Sequence, residues 1–150
     1  MTEAEFTAVV GAQLPPEIEL EGFSEIYFAH LHPNEPMIGL MRELRKRGFR
    51  MAMLTNNVRE WEPLWRAKLP VDEIFELVVD SAFVGMRKPE REIYELTLDR
   101  LGDGIRPEEC VFVDDLDVNC VTATELGMTA VQYVSPEQAI AEIRSALGEG

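Results

Sequence analysis

Apolar positions recur along this chain at two different periods, and the change from one to the other divides it. In the first 36 residues the period is helical. Thr2 and Glu5 form a capping-box signature, and Phe6, Val9, Val10 and Leu14 follow at helical spacing until Pro15-Pro16 ends the run. Phe23, Ile26, Tyr27 and Leu31 share one face of a second helix expected over 17–31, and 30–36, with two prolines and an asparagine, reads as a linker. Met37, Leu40, Met41 and Leu44 make 37–47 amphipathic, and Gly48 closes that helix.

Beyond Gly48, short apolar runs alternate with helical patterns. Residues 49–54 are nearly all apolar, as a strand buried on both faces requires, and stop at Thr55-Asn56-Asn57. Trp61, Leu64 and Trp65 mark a helix with Pro63 in its first turn. A strand over 74–79 ends at Asp80-Ser81, a loop over 85–89 carries Lys88, and Ile93, Tyr94, Thr97, Leu98 and Leu101 form a helix face closed by Gly102. The run 110–113 is again a strand and stops on Asp114-Asp115. A helix over 118–126, a strand over 129–134 and a helix capped by Ser135-Pro136 complete the chain. Strand and helix alternating in this way predict an α/β fold with right-handed crossovers and a parallel sheet.

Composition narrows the partners. At 150 residues and 46% hydrophobic there is enough apolar surface for a substantial core. The 28 acidic against 14 basic residues, a net charge of −14, repel a phosphate backbone and an anionic membrane alike, which argues against nucleic acid and membrane partners. A small phosphorylated molecule stays compatible, because a metal ion and one or two cations can reverse the sign inside one cleft. Cys110 and Cys120 fall in a strand and the following helix, where buried reduced thiols are expected, in keeping with a reducing, cytoplasmic compartment. The sequence shows no charged-then-apolar leader and no run long enough for a membrane span.

In a parallel sheet the carboxyl ends of successive strands open on one edge, so Thr55-Asn56, Lys88 and Asp114-Asp115 are expected to meet in one cleft. A hydroxyl, free N–H groups, a lysine and a metal-binding carboxylate are what a transferring phosphoryl group needs. Adjacent strand residues point to opposite sides, so only one of the two aspartates can face a ligand squarely unless the strand turns. Each feature taken singly has a structural explanation: Thr55 or Asn57 as a helix cap, Lys88 as a solvated loop cation, Asp-Asp as an acidic turn.

Taken together, MLTNN at 53–57, GMRKPEREIYE at 85–95 and VFVDDLDVNCVTATELGM at 111–128 resemble motifs II, III and IV of the haloacid dehalogenase-like (HAD) hydrolases, in order and approximate spacing. The resemblance implies a Rossmann-like core over 37–150, a helical cap remnant over 1–36, Mg²⁺ dependence and phosphatase activity. It implies phosphate binding by Thr55 and Asn56, charge neutralisation by Lys88, and Mg²⁺ ligation by Asp115 with Asp114 and Asn119 in support.

One motif is missing. The family's nucleophile is an aspartate at the end of a first, central strand, written DxD; before Thr55 this chain has glutamates but no aspartate. The only DxD, Asp115-Leu116-Asp117, lies within the stretch resembling motif IV. A carboxylate mechanism cannot run without its carboxylate. Two classes of function follow: a hydrolase completed by an upstream segment or a second polypeptide, and a non-catalytic remnant that binds an anion, a metal or a protein. Loss of a central strand also leaves the strands at 49–54 and 110–113 with open edges, suited to self-association or a complementing chain.

Overall fold

The computed structural model describes residues 1–149, and its chain begins as three helices: α1 (Glu3–Gly11), α2 (Phe23–His30) and α3 (Glu35–Lys46). Strand β1 (Ala52–Thr55) and a 3₁₀ turn (Arg59–Trp61) lead to α4 (Glu62–Arg66) and α5 (Val71–Ile74). Next come β2 (Leu77–Asp80), α6 (Ser81–Val84), α7 (Arg91–Leu101), a second 3₁₀ turn (Pro107–Glu109) and β3 (Val111–Asp114). The chain then runs through α8 (Asp117–Glu125), β4 (Thr129–Gln132) and α9 (Pro136–Ala146).

Local chemistry explains most of these boundaries. At α1 the Thr2 hydroxyl accepts from the Glu5 N–H and the Glu5 carboxylate from the Thr2 N–H; Ser135 and Gln138 repeat the device at α9. The Asn34 side chain caps α3 and donates to the Tyr133 hydroxyl at 2.8 Å, pinning the linker to the far end of the fold. The helix expected over 17–31 forms only from Phe23, because Gly22 adopts a left-handed φ of 70° that a helix cannot pass through. The strand expected over 74–79 begins three residues late: Ile74, 1% exposed, closes the single turn α5 and is buried from there.

The strands are parallel but fall into two pairs, β1 with β2 and β3 with β4. Neither β1 nor β3 has a second strand partner among the described residues. Alternation along the strands sends side chains into three clusters. Met53 and Val78 go to one side, against Phe28, Val58, Trp61 and Trp65; Leu54 and Val79 go to the other, against Ile93 and Tyr94. Phe112 and Ala130 of the second pair join that same Ile93–Tyr94 cluster, so α7 and α8 supply a core common to both pairs. Val131 packs on the opposite side with Leu40, Leu44 and Ile143 of α3 and α9.

The N-terminal helices have little core of their own. α1 has no buried residue and α2 buries only Ser24 and Phe28. They are held by rings: Phe6, Phe23, Tyr27 and Phe28 each lie 5.0–6.0 Å, centroid to centroid, from Trp61. Stacked, tilted and edge-on contacts of this kind add about 0.5–1.5 kcal/mol each to the area they bury.

Candidate active site

β1 and β2 end in register, Thr55 beside Asp80, and β3 ends at Asp114, so all three carboxyl ends carry polar groups. Asp114 is the most heavily engaged. Its Oδ2 accepts from Lys88 Nζ at 2.5 Å, and its Oδ1 accepts from the Leu116 N–H and from Asn119 Nδ2, both at 2.9 Å. Burial pushes its carboxyl upward, but Lys88, the Leu116 amide and Asn119 outweigh that and hold it below the ordinary aspartate value. Lys88 also lies 5.9 Å from the Phe112 ring centroid, so its ammonium is fixed between a carboxylate and a ring face. Tyr94, fully buried behind them, donates to the Asn119 carbonyl at 2.9 Å; burial first, and Asp114 next, push its phenol up to about 12.

Asn56 reaches Lys88 by another route. Its Oδ1 accepts from the Lys88 N–H at 2.8 Å and its Nδ2 donates to the Lys88 carbonyl at 2.9 Å. Both ends of the amide are therefore occupied by the lysine's main chain, and Asn56 fixes the loop that presents Lys88. The Thr55 hydroxyl makes no hydrogen bond among the described residues and stands free at the strand end. Beyond it, the Asn57 N–H donates to Ser81 Oγ at 3.0 Å, tying the loop after β1 to the start of α6.

Asp115 contrasts with its neighbour. It is exposed, and its carboxylate makes no hydrogen bond or ion pair among the described residues; only its main-chain carbonyl is used, by Gln132. The strand thus turns one aspartate inward to the lysine and leaves the other outward and free. Mg²⁺ is commonly held by one or two carboxylates with waters and substrate phosphate oxygens. Asp115 fits that donor chemistry, but no three His, Cys, Asp or Glu side chains converge among the described residues, so the carboxylate set is partial.

Asp80 was not singled out by its sequence, yet it is 5% exposed and only half satisfied. Oδ1 accepts from the Ala82 N–H at 2.9 Å, while Oδ2 is buried without a partner. Burial raises its pKa. Both cysteines are free, Cys120 buried and Cys110 partly so, and no helix among the described residues is long and apolar enough to cross a membrane.

Comparison with known proteins bears on this arrangement. A model of haloacid dehalogenase-like hydrolases matches residues 3–127. The chain belongs to that family. It is 33% identical over 129 residues to glyceraldehyde 3-phosphate phosphatase of Methanopyrus kandleri, covering 82% of this chain and 54% of that protein. Over 145 residues it is 30% identical to bifunctional epoxide hydrolase 2 of Rattus norvegicus, covering 92% of this chain but 25% of the relative. The chain therefore spans about half of one relative and a quarter of the other. Among solved structures, a HAD phosphatase from Thermococcus onnurineus superposes with a TM-score of 0.67 at 26% identity, over 89% of this chain and 66% of that one. A HAD family enzyme of Bacteroides thetaiotaomicron, in complex with magnesium and inorganic phosphate, superposes with a TM-score of 0.68 at 23% identity, over 89% and 70% of the two chains, and shares the fold.

Proposed function

We propose that this chain carries the phosphate- and metal-binding part of a Mg²⁺-dependent phosphatase acting on a small phosphorylated metabolite, and that by itself it does not turn over. The observation that supports this most is the division of labour at the strand ends. Lys88 is buried on Asp114 and steadied by Asn56, so it offers a fixed cation, while Thr55 and Asp115 stand free to take a phosphate oxygen and a metal. Membership of a hydrolase family with phosphatase relatives supports the reaction class. Asp115 would hold Mg²⁺, which when bound would supply charge to offset the negative charge developing on a transferring phosphoryl group.

On this reading the attacking group comes from outside the described residues. Asp114 is occupied by Lys88, Asp80 is buried, and no aspartate precedes Asp72. The open edges of β1 and β3 suit an inserted strand ending in a carboxylate, from an adjoining segment or a second polypeptide. The second reading, a non-catalytic binding module, draws on the same gap and differs in whether such a strand exists. Phosphate binding tests what the two hydrolase claims share. In an amide NMR titration with inorganic phosphate and Mg²⁺, resonances of Thr55, Lys88 and Asp115 should shift, with affinity weakened at least tenfold in Lys88→Ala. Shifts confined to other surfaces, or an affinity indifferent to Lys88, would defeat the proposal.

A further inference from the structure

The arginines of this acidic chain are almost all neutralised. Among the described residues every arginine but Arg59, Arg87 and Arg100 lies within ion-pair distance of a carboxylate. Arg100 sits near the end of α7, close to the Leu101 carbonyl that Arg50 takes, on the far edge of the sheet from the candidate site. The Arg87 side chain makes no hydrogen bond among the described residues and is simply solvated. Arg59 differs from both, because its charge is unpaired and yet its position is fixed.

Three contacts hold it. Its main-chain N–H donates to the Met1 carbonyl at 3.1 Å, its Nη2 donates to the Ala82 carbonyl at 3.1 Å, and its guanidinium lies 5.1 Å from the centroid of Phe83. Phe83 is itself half exposed, so the pair forms a flat, charged face open to solvent. The nearby acids are occupied: Glu60 accepts from the Glu3 N–H, and Glu5, whose pKa is lowered mainly by Thr2 and only slightly by Arg59, serves the α1 cap. A guanidinium has five donors in a planar fork, and one carbonyl uses a single one of them.

The position of Arg59 gives the spare donors a role. It follows Asn56, which grips Lys88, by three residues, a separation of at most about 11 Å along the chain. The same loop is tied to β2's end through Asn57 and Ser81. We infer that Arg59, backed by Phe83, is a second anion subsite beside the phosphate site, and that the preferred substrates are phosphomonoesters bearing a further oxyanion, such as a carboxylate, on the leaving-group side. A planar fork pairs with a carboxylate through two parallel, charge-assisted bonds, which suits this geometry better than a neutral tail would.

This inference rests on the phosphate site proposed above, and the test separates the two. Two probes of nearly equal size, 2-carboxyethyl phosphate and n-propyl phosphate, are titrated into the 150-residue chain with Mg²⁺, and the ratio of their dissociation constants is taken for each variant. Wild type should favour the carboxylate probe by roughly tenfold. In Arg59→Gln the ratio should fall to about one, Arg59→Lys should keep part of it, and Phe83→Leu, at an exposed ring, should lower it with the fold intact. A purely structural Arg59 would weaken both probes together and leave the ratio alone. A wild-type ratio near one, or a ratio indifferent to Arg59→Gln while both affinities still depend on Lys88, overturns this inference only. Failure of both probes to bind, or binding indifferent to Lys88→Ala, overturns the phosphate site and this inference with it.

Discussion

Two buried carboxylates a few ångströms from solvent show how differently one residue type can be used. Asp114 is satisfied by three groups, the Lys88 ammonium, the Leu116 amide and the Asn119 side chain, and Asp80 by one amide. An acid whose folded pKa lies below its unfolded value adds stability above the unfolded value and loses it as the pH falls through the folded one. That is Asp114, whose contribution should be complete at neutral pH and vanish only in acid, below the ordinary aspartate range. An acid with a raised folded pKa does the reverse: its stabilisation is full below the unfolded value and is lost as the pH rises through the folded one. That is Asp80, which is therefore a cost at pH 7. Asp80→Asn should raise the melting temperature at pH 7 and lose that advantage near pH 4; an equal effect at both would show that Asp80 is not strained by its charge. Lys88→Met leaves the Asp114 charge buried and alone, and should cost about 3–5 kcal/mol in urea denaturation at pH 7. A loss under about 1 kcal/mol, the usual value of a surface pair, would mean the pair is solvated in solution.

At the scale of elements, the segments legible in the sequence were those whose cause is local. The caps at Thr2 and Ser135 and the apolar runs ending at Thr55 and Asp114 need only neighbouring residues, and each appears within a few positions of its expected place. What sequence reading missed depends on distant partners. Ile74 reads as strand by its β-branched side chain but is drawn into a turn by burial. The bonds from Asn56 to the main chain of Lys88, 32 residues away, arise only on folding. Nothing near Asp80 in sequence shows that one of its oxygens will be sealed off. The strand edges yield a prediction at this scale. In hydrogen exchange, amides bonded between β1 and β2 should be protected, and those of β1 and β3 on their unpaired edges should exchange fast. Uniform protection of both strands in a monomer would mean the edges are covered, contrary to the pairing described.

For the molecule as a whole, polar groups gather at the carboxyl ends of β1, β2 and β3. The resemblance of three motifs to the HAD hydrolases anticipated the family, which the match over residues 3–127 shows, and the strands form two parallel pairs with no further strand partner among the described residues. Metal affinity should reflect the same incompleteness. With Asp115 free at the strand end and no three His, Cys, Asp or Glu converging among the described residues, Mg²⁺ should bind only weakly, in the millimolar range, and Asp115→Ala should abolish even that. Micromolar binding by calorimetry, unchanged in Asp115→Ala, would place the ion elsewhere.

The proposed division between binding and attack is tested most directly by turnover. The purified 150-residue chain, with Mg²⁺ and p-nitrophenyl phosphate, should release no more product than buffer, since on the proposed reading it supplies positioning and charge while the attacking carboxylate comes from elsewhere. Supplying a segment with an apolar strand ending in DxD should start turnover, and Lys88→Ala should stop it. Mg²⁺-dependent hydrolysis by the chain alone, lost in Asp115→Ala, would contradict this and place the nucleophile within the residues described.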